Sequence, residues 1–150
     1  MSKNFFRQIV ILAAVVLVLG VLYIGSTNLS FDKQSAAHID YRIADSYTER
    51  AQGLSGTAPL QDDEAMLFVF EKEGKYPFWM KGMNYALDIV WIDASSTIVH
   101  MEENISPDTY PNKIGGDVSA LYVVEGTSGF IKRHSWELGQ IIVLPVGGLK

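Results

Sequence analysis

The chain has no cysteine. Disulfides, thiolate metal sites, a cysteine nucleophile and a lipidated N-terminal cysteine are therefore excluded, and an exported domain has to be held by its core alone. Histidine is scarce, and His38, His100 and His134 stand singly, whereas a metal site needs several ligands gathered together. There is no glycine-rich phosphate loop and no dinucleotide fingerprint. The Gly53-Leu54-Ser55-Gly56 and Gly126-Thr127-Ser128-Gly129 runs lack the spacing of a nucleophile elbow.

Charge is missing from one long stretch. No residue between Gln8 and Phe31 is charged, and residues 9–24 read IVILAAVVLVLGVLYI. A bilayer-spanning helix takes about 20 predominantly apolar residues and satisfies its own backbone groups in lipid. Lys3 and Arg7 precede the run, which predicts a cytoplasmic N-terminus and an exported remainder. We therefore expect a cytoplasmic N-terminus at 1–7, a transmembrane signal-anchor at 8–27, a flexible tether at 28–37 and an extracytoplasmic domain at 38–150. The small-residue step at Gly25-Ser26-Thr27 leaves signal cleavage open as the alternative, with a secreted or periplasmic domain.

Basic charge is also short. Lys3 and Arg7 belong to the anchor, so ten basic residues face seventeen acidic ones in the remainder, a balance of −7. A surface of that sign repels phosphate backbones, and no nucleic-acid partner is expected.

What the chain does have is short strands. Residues 38–44 alternate, with Ile39, Tyr41 and Ile43 on one face. Ser46 and Glu49 form a capping-box pattern that starts a short helix, ended by Gly53 and Gly56, with Ala51 and Leu54 turned inward. Residues 65–70 are a continuous apolar run of strand length, followed by a turn at 71–75. Further strands are expected at 77–81, 87–93, 98–102, 120–125 and 141–145. The proline- and glycine-bearing segment 104–117 reads as a long loop, and 126–134 as a second short helix. The expected fold class is α+β and strand-dominated, a small barrel-like antiparallel or mixed sheet of about seven short strands with two short helices.

The centre of the domain is residues 78–93, FWMKGMNYALDIVWID. Successive residues on a strand face opposite ways, so of Phe78 and Trp79 one belongs to the core; Trp91 shares a face with Leu87 and Ile89 and is also expected inside. Tyr85 in a turn and Tyr110 in the loop are the expected surface aromatics. Lys81 and Asp88 sit in apolar sequence, where charge is costly unless paired. A structural ion pair of Asp88 with Lys81 or Arg50 is one expectation. A polar pocket is the other. His100 and Glu102, with Asp93 across the turn, are the one cluster with metal-like residue types.

The helix with Ser46, Glu49, Arg50, Gly53 and Leu54, the run Met66-Leu67-Phe68-Val69-Phe70, Phe78-Trp79-Met80-Lys81, Leu87-Asp88-Ile89 with Ile92-Asp93, and Tyr122-Val123-Val124-Glu125 follow one another in this order. The pattern resembles the bacterial and archaeal family called domain of unknown function 192, over residues 39–145. The resemblance implies a compact, mainly β fold with a barrel-like sheet in proteins commonly exported or membrane-anchored. It implies no activity.

The leading functional expectation is non-catalytic binding of a cell-envelope ligand, either a small carbohydrate or anion or an envelope protein partner. Arg50, Trp79, Lys81, Tyr85, Asp88 and Tyr110 are the candidate ligand-binding residues. The alternatives are a hydrolase or isomerase of envelope sugars using Asp88 and Glu125 as paired carboxylates, and a purely structural envelope module. No metal and no cofactor is expected.

Overall fold

The computed structural model describes residues 38–146. The expected cytoplasmic segment, anchor and tether lie outside the described residues. Among the described residues no helix is long and apolar enough to cross a membrane.

The elements run β1 (Asp40–Ala44), α1 (Tyr47–Gln52), β2 (Glu64–Gly74), β3 (Leu87–Ile92), β4 (Ile98–Ile105), a 3₁₀ turn (Pro107–Thr109), β5 (Ala120–Thr127) and α2 (Phe130–Arg133). The strands form one mixed sheet in the order β1-β2-β5-β3-β4. β1 runs parallel to β2, with α1 in the crossover, and the other neighbours are antiparallel. The strand-dominated α+β class is as the sequence leads one to expect.

The strand count and the closure are not. Five strands form an open sheet with β1 and β4 at its edges, in place of about seven in a barrel-like sheet. Two of the expected strands are reduced to single bridges, Phe78 with Ile114 and Thr97 with Ile141. Phe78 exchanges both backbone hydrogen bonds with Ile114 at 2.9 Å. Pairing stops there because Pro77 has no N–H to offer and Gly82, at φ 69°, turns the chain away. The turn expected at 71–75 is also displaced: β2 continues to Gly74, which pairs with Ala120 beyond an irregularity in register. The stacking of Tyr76 on Phe70, with ring centroids 3.5 Å apart, holds this extension.

The sheet is covered on both faces, so its central strands bury both sets of side chains. β3 (LDIVWI) is buried at every position. Leu87, Ile89 and Trp91 join Leu54, Phe68, Met80 and Val123 in one core, while Val90 and Ile92 join Leu67, Val124, Phe130, Ile131 and Trp136 in the other. Trp91 is fully buried, as its parity on the strand requires, and its indole N–H donates to the Tyr76 carbonyl at 2.8 Å. Burying an indole without a partner for its N–H would cost free energy.

α1 starts as the sequence dictates. The Ser46 hydroxyl accepts from the Glu49 N–H at 3.2 Å, and the Glu49 carboxylate accepts from the Ser46 N–H at 3.0 Å. The Ser46 hydroxyl also donates to this carboxylate at 2.7 Å, and that bond together with the one from the Ser46 N–H holds the Glu49 carboxyl below the usual glutamate range. Gly53 closes the helix with φ 49°, a conformation that suits glycine. Leu54 points into the core as expected, but Ala51 is exposed, because the helix ends before completing a second buried turn.

Candidate ligand-binding site

Alternation along β5 decides where its acidic group goes. Val123 and Glu125 share a face, and Val123 lies in the core against Phe68, Ile89 and Trp91. Glu125 pairs in register with Met66 on β2 and Ile89 on β3, both apolar. Its residue surface is 5% exposed. The ion pairs among the described residues are Arg42–Glu64, His100–Glu102 and Arg133–Asp62, so none reaches it. Burial pushes the Glu125 carboxyl up to about 8, because its surroundings disfavour the charged form.

A cavity of about 40 Å³ adjoins this carboxyl, lined by Arg50, Gln52, Gly53, Ser55, Phe68, Phe78, Trp79 and Met83 among others. Its walls come from α1 and its C-terminal turn, from β2 and from the segment after the Phe78 bridge. Gly53 helps to keep the space open: a Cβ there would lie 3.4 Å from the Phe68 ring and 3.9 Å from a Glu125 carboxylate oxygen. Ser55 fixes one wall, its hydroxyl donating to the Lys81 carbonyl at 2.6 Å.

Aromatic side chains stand at the outer end. Phe78 turns inward, edge-on to Phe68 at 4.9 Å and to Trp91 at 5.9 Å between centroids. Its neighbour Trp79 therefore turns outward and is 50% exposed. Tyr110, 46% exposed, meets Trp79 edge-on with centroids 6.3 Å apart. The Lys81 ammonium lies 5.7 Å from the centre of the Trp79 ring, within cation–π range. The loop carrying Tyr110 is seated on Trp91: a Cβ at Gly115 would come within 2.3 Å of the Trp91 ring.

Of the residues singled out from sequence, Lys81 and Tyr110 meet Trp79, and Trp79 lines the cavity together with Arg50 and Glu125. Tyr85 does not join them as a surface aromatic. It is half-buried against the core, and its hydroxyl bonds the Thr57 hydroxyl at 3.0 Å. Arg50 is anchored elsewhere, its guanidinium donating to the carbonyls of Asp45 and of Val69 and lying 5.3 Å over the Phe70 ring.

Asp88 faces the other core. One carboxylate oxygen accepts the Asn104 N–H at 2.8 Å, and the other accepts the Ile131 N–H at 3.0 Å. α2 begins at Gly129 with no side-chain cap, so Asp88 supplies from β3 an acceptor that the helix start lacks. The expected ion pair of Asp88 with Lys81 or Arg50 does not form, because Lys81 is exposed beside Trp79 and Arg50 is held by carbonyls. Asp88 registers with Gly126, and Ile89 with Glu125. Asp88 and Glu125 consequently lie on opposite faces of the sheet and form no carboxylate pair.

A wider groove of about 680 Å³ lies along β4 and the loop that follows, lined by His100, Glu102, Asn104, Asn112, Lys113 and Asp117 among others. His100 and Glu102 pair at 3.1 Å, while Asp93 accepts from Ser95 and Thr97 within its own turn. No group of three potential metal ligands occurs among the described residues. The smaller cavity has the stronger chemistry, since it alone of the two holds a buried carboxyl.

A family model, DUF192, described as "Uncharacterized ACR", matches residues 29–144. No curated protein matches the chain. Two crystal structures share its fold. One, from Sinorhizobium meliloti 1021 and described as a "putative transcription regulator", is 29% identical, with a TM-score of 0.62 over 66% of this chain and 76% of that one. The other, a protein of unknown function from Novosphingobium aromaticivorans, is 24% identical, with a TM-score of 0.63 over 68% of this chain and 73% of that one.

Proposed function

Because the chain belongs to the uncharacterised DUF192 family, its role has to be read from its own surface, and we propose that it is a membrane-anchored, extracytoplasmic module that binds a carbohydrate of the cell envelope without turning it over. The observation that carries this reading is the exposed edge-on pair of Trp79 and Tyr110 beside the cavity that ends at Glu125. An exposed indole is an unusual use of apolar surface, and its flat face suits the C–H face of a sugar ring. Polar groups at the inner end would meet ring substituents. The extracytoplasmic setting rests on the uncharged run at 9–24 and the preceding Lys3 and Arg7. With seventeen acidic residues beyond the run and only ten basic ones, the regulator description of the Sinorhizobium protein is not carried over.

The test is a thermal-shift series on the full chain in a polyoxyethylene detergent, which carries no sugar headgroup, against β-linked glucose, acetylglucosamine and glucosamine tetramers. The reading expects a saturable rise in Tm that grows with ligand concentration. It also expects the rise to vanish in Trp79→Ala and Tyr110→Ala while both variants still melt cooperatively. A shift indifferent to both substitutions would move the site elsewhere, and no shift with any tetramer would remove carbohydrate from consideration.

A further inference from the structure

Glu125 is an unusual thing to find inside this domain. A carboxyl facing apolar neighbours on both flanking strands is destabilising compared with an apolar residue of like size. Asp88, the other buried acid, justifies its position by two backbone hydrogen bonds. Glu125 has no such partner among the described residues and borders a space instead.

That space restricts what could serve as its partner. At about 40 Å³ it accepts a group the size of a water, a hydroxyl or an ammonium, and nothing as large as a ring. The carboxyl itself favours an ammonium over a neutral hydroxyl, since a charge-assisted hydrogen bond is the stronger, and Met83 adds a polarisable sulfur to the lining. Arg50 is the one other charged residue of the lining. The strand neighbours Met66 and Ile89 are neutral, as are the remaining wall residues. The Arg50 guanidinium is already bound to two carbonyls and lies over Phe70. It does not neutralise Glu125.

We propose that this cavity is an ammonium site, in which the Glu125 carboxylate binds a primary amine of a ligand whose ring rests on Trp79. The ligand class is then an amino sugar with its amine unblocked. This rests on the carbohydrate reading above, and it adds the position and the charge of the substituent recognised. Binding is a proton exchange as well as an association. The free site holds its proton, in keeping with the raised Glu125 carboxyl, and an ammonium entering beside it displaces that proton to solvent.

Three tetramers with the same β-linkage, carrying at C2 a hydroxyl, an acetamide or an amine, differ only in the group at issue. Titrated into the full chain at about pH 6, where the sugar amine is charged, the amine tetramer should bind at least tenfold more tightly than the hydroxyl one. In Glu125→Gln this preference should disappear while binding of the hydroxyl tetramer persists. Calorimetry of the unaltered chain in buffers of different ionisation enthalpy should show close to one proton released with the amine tetramer and none with the hydroxyl tetramer. This measurement decides the matter even if the variant fails to fold. Equal affinities for all three would overturn the ammonium site and leave the aromatic platform standing, and so would a preference that survives in Glu125→Gln. If no tetramer binds, the platform reading falls first. Methylammonium chloride then tests the cavity alone, and absence of a Glu125-dependent thermal shift would overturn the proposal.

Discussion

Asp88 and Glu125 stand one register step apart on the neighbouring strands β3 and β5 and face opposite sides of the sheet. They are the two buried acids of the described domain, 1% and 5% exposed. Asp88 gives both of its oxygens to backbone N–H groups, whereas Glu125 gives neither to a partner among the described residues. The first therefore belongs to the architecture, and the second is the group on which the proposed ammonium site rests. A mechanism that joins them would have to act through the sheet.

Asp88→Ala should destabilise the domain by about 3 kcal/mol, since it strands two buried N–H groups that now bond a carboxylate. Asp88→Asn should cost less, because one amide oxygen can still accept from one of them. Thermal melts of the full chain in detergent would read the order. If Asp88→Ala melted with the unaltered chain, the tie between β4 and α2 would carry no weight.

The tryptophans should separate cleanly. Trp91→Ala removes a fully buried indole with its bond to the Tyr76 carbonyl and should cost roughly 3–5 kcal/mol. Trp79→Ala removes a half-exposed ring and should cost less than about 1 kcal/mol. Near-UV circular dichroism with melting curves distinguishes them, and comparable losses would mean that Trp79 packs far more than its exposure implies.

Gly126→Ala tests the contact between β5 and α2. An added Cβ would sit 2.4 Å from Phe130, inside its ring and side-chain base rather than at a flexible tip. Either α2 or β5 must move, at a cost of about 1–3 kcal/mol. Because Asp88 holds the Ile131 N–H from the same side, the double variant with Asp88→Asn should be less destabilised than the sum of the two single ones. Strict additivity would show that the two contacts are independent.

How much of this was legible in the sequence depended on distance along the chain. The Ser46–Glu49 cap was readable because both partners lie within one turn. The opposite facing of Phe78 and Trp79 and the burial of Trp91 followed from strand parity alone. Closure is not legible, because two segments with strand-like composition pair at a single residue each, and Pro77 and Gly82 weigh more there than the apolar residues between them. The turn position of Tyr85 suggests exposure, but its partner, Thr57, is 28 residues away. An aspartate in apolar sequence points to a cation, yet the partners of Asp88 are backbone N–H groups, which leave no mark in a sequence. For Glu125 a signal exists: a single acid that shares its strand parity with Leu121 and Val123. Its separation from Asp88 was not readable, because it depends on β5 entering the sheet between β2 and β3.

The pH dependence of stability offers the sharpest test of the Glu125 environment. Its carboxyl moves from the ordinary glutamate value of 4.5 to about 8 on folding, with burial as the cause. Between those values the folded chain holds a proton that the unfolded chain has released. Stability from this group is therefore complete below 4.5 and is lost as pH rises towards 8, at a limiting slope of about 1.4 kcal/mol per pH unit. The full span amounts to roughly 5 kcal/mol, an upper figure that water entering the cavity would reduce. Glu49 and Glu64, both held below the usual range by hydrogen bonds to their neighbours, lose their contributions as pH falls below 4.5 and do not act in this window. Glu125→Gln removes the titration and keeps the shape. Its stability should match the unaltered chain near pH 5 and exceed it by several kcal/mol above pH 8, and the histidines cancel because both chains carry them. A difference that stays constant across that range would mean that Glu125 is ionised in the folded domain, with a partner or solvent supporting its charge.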